Sequence, residues 1–344
     1  MSTQNIRIIL TSLAFGVLFT AIFYFTVGHR SVHLVKNVLG LKTKNQATPE
    51  SRIQQEECLD DEDAEELSHR VRLLCFIPTS KRNLGTKATA VKETWAWRCN
   101  KNIFFSNPSD PTFPTVELPN VVEGKRGLPV KTMASLEYLY DHHYGDADWF
   151  FKADDDTFTI VENLRYLLSH FNSSMAWYLG HHFKKHSPKG YMSGGAGYVI
   201  SKAALQHLVE TGLRGQGLCK KYLSSKALAE DVALGRCLDS LGVSVASSLD
   251  QKGRQTFHPF NVATHLFGPF PDWYQEYSID QIKKGQDCCS DLSITYHYVD
   301  PVTMHVMNHL IYNTRVYGLK HRTPLAQSLH YSSQAKSSQN SGYT

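Results

Sequence analysis

The sequence predicts an α/β fold, with a mostly parallel central sheet covered by helices on both faces. Three observations carry this. At 344 residues, 42% hydrophobic and 20% charged, the chain has material for a sizeable core. Strand-like and helix-like runs alternate between residues 69 and 331, the pattern of strands joined by crossover helices. One aromatic strand, Asp148 to Phe151, runs almost directly into three carboxylates, Asp154, Asp155 and Asp156, and a helical pattern follows.

The elements follow in order. Ile8 to Val27 is 20 residues without a charge, enough to cross a hydrocarbon layer as a helix. No small-x-small cleavage site follows it, so it is read as a signal-anchor behind a cytoplasmic tail of residues 1–7. Residues 28–68 form a stem expected to be disordered; eight of the eleven residues from Glu56 to Glu66 are acidic. The folded domain spans 69–331, and the serine-rich residues 332–344 form a disordered tail.

Within the domain, Val71 to Ile77 reads as a buried strand, Lys87 to Trp97 as a helix, and Ile103 to Phe105 as a second strand. Val130, Met133, Leu136 and Tyr140 share one helical face. After the acids, Val161, Leu164, Leu168 and Phe171 mark another helix. Tyr191 to Ile200 joins a glycine loop to a strand, and Ser201 caps a helix running towards Glu210. Glu230 to Cys237 opens a helix whose apolar face is Leu234, Leu238 and Leu241, with Gly242 as its C-cap.

A net charge of +4 on this length, without a basic cluster, excludes nucleic acid as the expected partner. The three aspartates are different. Adjacent like charges repel, and a hard cation such as Mn²⁺ or Mg²⁺ carrying a diphosphate is their natural counterion. Their position at a β-to-α junction is where ligands gather in α/β sheets. Glu230 and Asp231 open a helix, where acids complement the dipole; the same placement suits a general base, and the sequence does not decide between the two. His258 and His297 are two of 17 histidines, so neither stands out as a ligand by itself. Gly194-Gly195-Ala196-Gly197 fits no phosphate-binding fingerprint and instead allows close approach of backbone to a ligand. Asn172-Ser173-Ser174 is the single N-glycosylation sequon.

The seven cysteines include no C-x-x-C pair, which argues for disulfides in an oxidising compartment over a structural zinc site. Cys75 ends a strand and Cys99 follows the next helix; Cys219 and Cys237 bracket the loop before the Glu230 helix. Both pairs are expected to be bonded. Cys288 and Cys289 form either a vicinal bond or two separate bonds. Cys58, the odd thiol, is expected to link two chains.

Several of these segments resemble the metazoan inverting β1,3-glycosyltransferases. The resemblance covers about residues 69 to 320 and is carried by Ala147 to Asp156, Gly190 to Tyr198, Glu230 to Cys237, Phe257-His258-Pro259-Phe260 and Cys288-Cys289-Ser290-Asp291. It implies a GT-A type fold and a Golgi type II membrane enzyme with a lumenal catalytic domain. The branch that fits best moves galactose from UDP-galactose to O-3 of GalNAc on serine or threonine of glycoproteins. Also implied are Mn²⁺ held by Asp154, Asp156 and His258, the last because it lies 27 positions after Asp231. Asp154, Asp155 and Thr79 would face the donor, and Tyr191, Gly194, Gly195 and Glu230 the acceptor, with Asp231 as catalytic base. A homodimer is a further implication. Another donor or acceptor, or a non-catalytic chaperone, would suit the same fold, but the chaperone relative has lost the acidic motif that this chain keeps.

Overall fold

The computed structural model describes residues 64–215, 217, 219–223 and 228–317. The expected membrane span, Cys58 and the serine-rich tail lie outside these residues. Among the described residues, no helix is long and apolar enough to cross a membrane.

The central sheet has seven strands. In chain order they are β1 (Leu73–Pro78), β2 (Lys101–Phe105), β3 (Thr115–Val116), β4 (Trp149–Lys152), β6 (Trp177–Gly180), β9 (Tyr198–Ser201) and β10 (Ser244–Val245). Their spatial order is β10-β6-β9-β4-β1-β2-β3. Four pairings are parallel; only β9 runs against both of its neighbours, β4 and β6. The mostly parallel expectation therefore holds, with one strand reversed.

Period-two alternation explains why β1 is apolar along its whole length. Leu73, Cys75 and Ile77 enter one core and Leu74 and Phe76 the other, so both faces are buried. On β4, Phe151 joins the first core and Phe150 the second. Helices cover both sides. α1 (Thr89–Thr94), α3 (Val161–Leu168) and α8 (Pro301–Tyr312) supply the first core, while α2 (Leu128–His143), α4 (Lys202–His207) and α5 (Glu230–Ser240) supply the second. Ser201 caps α4 by accepting the Ala204 N–H, as expected. Gly242, with φ of +73°, follows α5 in the left-handed region where a glycine carries no steric penalty.

Three short strands form a second sheet in the order β11-β12-β5: β5 (Phe158–Thr159), β11 (Phe257–His258) and β12 (Thr295–Tyr296). A two-stranded pair, β7 (His182–Phe183) and β8 (Tyr191–Met192), completes the strands. Two sequence boundaries move. Residues 64–70 are helical, so the ordered domain starts inside the expected stem, because Leu67 packs against the first core. On α2 the buried apolar face is Met133, Leu136 and Leu139, with Tyr140 half-buried.

Three disulfides join Cys75 to Cys99, Cys219 to Cys237 and Cys288 to Cys289. The first two are the expected pairs, and the last takes the vicinal alternative.

Phe151 is fully buried, with Trp95 against its ring at 6.2 Å between centroids. Phe151→Ala should lower unfolding stability by about 3–5 kcal/mol through the cavity it leaves. A urea titration would show this as a reduced midpoint at constant slope; a loss under about 1 kcal/mol would mean the neighbouring side chains close the gap.

Candidate active site

The site begins where β4 ends. The chain leaves the sheet after Lys152, and the three aspartates turn before β5 sends it back. The three carboxylates do not share one environment. Asp155 is buried, and its Oδ2 accepts from Thr79 Oγ1 at 2.6 Å and Asn83 Nδ2 at 2.8 Å. Burial pushes its pKa up against those two bonds. Thr79 and Asp155, both expected to face the donor, are thus bonded to each other. Asp154 and Asp156 are half-buried. Burial opposes the charge on Asp156, but His297 and Lys87 outweigh it and hold the carboxyl well below the usual range. Lys87 Nζ lies 2.7 Å from Asp156 Oδ2.

The histidine brought to these acids is His297, not His258. β12 pairs antiparallel with β5, placing Tyr296 opposite Phe158, so the residue just after β12 faces the end of the acidic turn. His297 Nε2 lies 3.2 Å from Asp156 Oδ1 and 3.8 Å from Asp154 Oδ2. His258 is one strand further away, on β11, where its ring stacks on Tyr296 at 4.4 Å. It is fully buried, and burial pushes its pKa well below the ordinary value. The assignment of His258 as a ligand beside Asp154 and Asp156 is therefore corrected: a strand stands between them. Spacing from Asp231 could not reveal this, because the placement is set by the pairing of strands two residues long.

The geometry of His297 tests whether a cation fits. Its Nδ1 lies 3.2 Å from the Pro259 carbonyl, which can only accept, so Nδ1 carries a proton. The Nε2 lone pair then faces two carboxylate oxygens, and a proton or a metal ion must lie between them. Asp154, Asp156 and His297 each offer one ligand atom, all within 4.8 Å of one another, and two oxygens with one imidazole nitrogen suit Mn²⁺ or Mg²⁺. Gly195 makes room: a Cβ there would sit 2.2 Å from His297 Cε1. The residues fit a divalent cation.

Lys152 connects this half to the second. Its buried ammonium lies 2.6 Å from Asp154 Oδ1, 3.1 Å from the Gly194 carbonyl and 3.7 Å from Glu230 Oε2. Burial disfavours the ammonium, but Asp154 and Glu230 overcome it and raise its pKa. Glu230 also accepts from the Tyr198 hydroxyl at 2.6 Å and is almost fully buried, with 8% exposure. Asp231 is half-buried at the start of α5. Its Oδ2 accepts from the Gly194 N–H at 3.0 Å and its Oδ1 from the Val232 N–H at 2.8 Å. Burial raises its pKa more than those bonds lower it. Tyr191 is buried against α5, where a side chain at Gly235 would strike its Cβ at 2.3 Å.

Of the residues expected on the acceptor side, Gly194 and Gly195 bridge the acids to α5, and Tyr191 and Glu230 lie beneath that surface. Lys152, Lys87, Asn83 and Tyr198 were not singled out in the sequence; only Lys152 carried a hint, as a charge inside an aromatic strand. Asn172, the sequon asparagine, is exposed.

The Fringe-like family matches residues 71–258. Glycoprotein-N-acetylgalactosamine 3-beta-galactosyltransferase 1 of Xenopus laevis is 42% identical over 267 residues, covering 76% of this chain and 72% of that protein. A beta-1,3-glucosyltransferase of Mus musculus is 29% identical over 232 residues, 62% of this chain and 45% of the relative. Among solved structures, the catalytic domain of Drosophila beta1,4-galactosyltransferase 7 with xylobiose aligns at 13% identity and a TM-score of 0.29, covering 52% of this chain and 64% of that one. This chain belongs to the Fringe-like family.

The choice between the two histidines is measurable. His297→Ala should weaken Mn²⁺ binding by at least about tenfold in calorimetric titration, whereas His258→Gln should leave it within about twofold. The reverse order would remove His297 from the site.

Proposed function

We propose that this chain is an inverting β1,3-galactosyltransferase that moves galactose from UDP-galactose to O-3 of GalNAc on glycoproteins. The observation that carries the reading is the joining of two half-sites. Asp154, Asp156 and His297 form a diphosphate-side cation cluster, and the Gly194-Gly195 loop links it to Asp231 at the start of α5. The Xenopus relative, with 42% identity, supports galactose as the sugar and GalNAc as the acceptor.

Asp231 is the base. Its pKa is raised, and its carboxylate is held by two backbone N–H groups, so it is oriented without being neutralised by a cation. As the acceptor oxygen attacks the anomeric carbon, its proton passes to Asp231 and the bond from that carbon to the UDP oxygen breaks. A single in-line displacement converts the α-linked donor to a β-linked product. A divalent cation such as Mn²⁺ at Asp154, Asp156 and His297 would neutralise the charge developing on the diphosphate. Lys152 holds Asp154 and Glu230 in place between the two halves.

The fold that accompanies this function is the GT-A type, supported by an acidic turn at the end of a mostly parallel sheet. We place the domain in the Golgi lumen on a type II anchor. The uncharged run at residues 8–27 and the three disulfides support that location. A homodimer linked through Cys58 belongs to the same proposal, resting on its odd count among seven cysteines.

Asp231→Asn should lower turnover by about 10²–10⁴-fold with UDP-galactose and a GalNAc-peptide, while the product of the unmodified protein is β-linked by NMR. Activity retained by this variant would remove Asp231 as base, and transfer of another sugar in preference from a UDP-sugar panel would overturn the donor. Because burial raises its pKa, Asp231 loses its basic form on acidification earlier than an ordinary aspartate. The acid limb of kcat/KM should therefore lie above the usual aspartate range and vanish from the residual rate of Asp231→Asn.

A further inference from the structure

His258, displaced from the acidic cluster, belongs to a second group of ligand-type side chains. One ring nitrogen from each of His258 and His265, together with the Cys289 sulfur, lie within 4.8 Å of one another. The two rings meet edge to face, 4.7 Å between centroids, and are 0% and 1% exposed. Each keeps a nitrogen without a partner among the described residues: His258 Nδ1 and His265 Nε2. A buried polar atom left unpaired costs about 1–3 kcal/mol, so two of them beside a sulfur point to a ligand.

The surroundings already set one ligand in its binding tautomer. The Ser293 hydroxyl donates to the Ser290 carbonyl, so its oxygen accepts the His258 Nε2 hydrogen at 3.1 Å. The Nδ1 lone pair of His258 is thereby left free, the arrangement by which a second bond fixes a metal-binding imidazole. What blocks a site is the sulfur, since Cys289 is bonded to Cys288 and a thiolate, not a disulfide, is the metal ligand. Cys289 is also the one bonded cysteine that is half-buried; the other five are buried. It is the bridge an external dithiol reaches first.

We infer that opening the Cys288–Cys289 disulfide creates a zinc-type site whose ligands are His258, His265 and the Cys289 thiolate. Nitrogen and sulfur donors of this kind select Zn²⁺ over the Mn²⁺ suited to Asp154, Asp156 and His297. The fourth position is left to water. The opening step balances: a dithiol attacks the bridge, forms a mixed disulfide and closes on itself. It loses two electrons and two protons, and the two cysteines gain them. On capture the Cys289 thiol releases its proton to solvent. The site stands apart from the galactosyltransferase proposal, although the His297 N–H donates to the His258 carbonyl at 3.1 Å and so joins the two histidines through the backbone.

Cobalt reports the site, because a thiolate bound to Co²⁺ gives a charge-transfer absorption that oxygen ligands do not. The full chain would carry Asp156→Ala to disable the acidic cluster. Adding Cys288→Ser frees Cys289 without any reductant, and this protein should bind one Co²⁺ with the thiolate absorption, displaced by Zn²⁺. The Asp156→Ala background alone should show none until treated with a dithiol, desalted and titrated without air. Adding His265→Ala to the Cys288→Ser protein should weaken binding at least about tenfold. Cys289→Ser should never give the band. Absence of the band from both the Cys288→Ser protein and the dithiol-treated parent, or its persistence in Cys289→Ser, overturns the site.

Discussion

A lysine ammonium without water is costly to bury, and the architecture of the site follows from how Lys152 is accommodated. It sits at the last position of β4 with 3% exposure, where the strand's apolar residues have just ended. Solvent cannot stabilise it, so three chain segments must: the acidic turn through Asp154, the glycine loop through the Gly194 carbonyl, and α5 through Glu230. Removing one partner of such a group leaves a charge uncompensated, which costs about 3–5 kcal/mol. The ammonium thus fixes the separation of the Asp154 and Glu230 carboxylates. The glycine at 194 belongs to the same constraint, because a Cβ there would sit 2.7 Å from Glu230 Oε2 and push that carboxylate off its position beside Lys152.

The charge count shows why the site suits a cation. Asp154, Asp155, Asp156, Glu230 and Asp231 are five carboxylates, and Lys87 and Lys152 are the two ammonium groups that pair with them. The protein resolves part of the excess by burial, which raises the pKa values of Asp155, Glu230 and Asp231. Asp154 and Asp156 are only half-buried and face the His297 nitrogen. The remaining negative charge is concentrated where a diphosphate-bearing cation would sit.

The parts legible in the sequence were those whose signal is local. β1 and β4 are buried on both faces and announce themselves by continuous bulky residues. The Ser201 cap, the glycine ending α5 and the acids at the end of β4 are each set by neighbours in the chain. What was not legible depended on pairing over long separations. β9 runs antiparallel because the chain reverses between β7 and β8, over residues 184–190, and nothing in Tyr198–Ser201 records direction. β5, β11 and β12 are two residues each, too short for alternation to show. The two histidines on or beside those strands, His258 and His297, looked alike in the sequence because each is flanked by aromatics.

Glu230 and Asp231 show how adjacent, chemically similar residues acquire separate tasks. On a helix, neighbours in sequence point about 100° apart, so one faces the core while the other faces the glycine loop. Glu230 points inward to the Tyr198 hydroxyl and Lys152, where it is a counterion. Asp231 points to the glycine loop and, among the described residues, receives backbone N–H groups. Backbone donors orient a carboxylate without pairing it to a full positive charge, and burial keeps its proton affinity above that of a solvated aspartate. Those are the two properties a general base needs, and environments that push neighbouring acids into different states are how a site divides structural from chemical work. The helix dipole and the proposed catalytic base, open alternatives in the sequence, are therefore compatible: the same first turn holds one acid for structure and, in the proposed function, presents the other for chemistry.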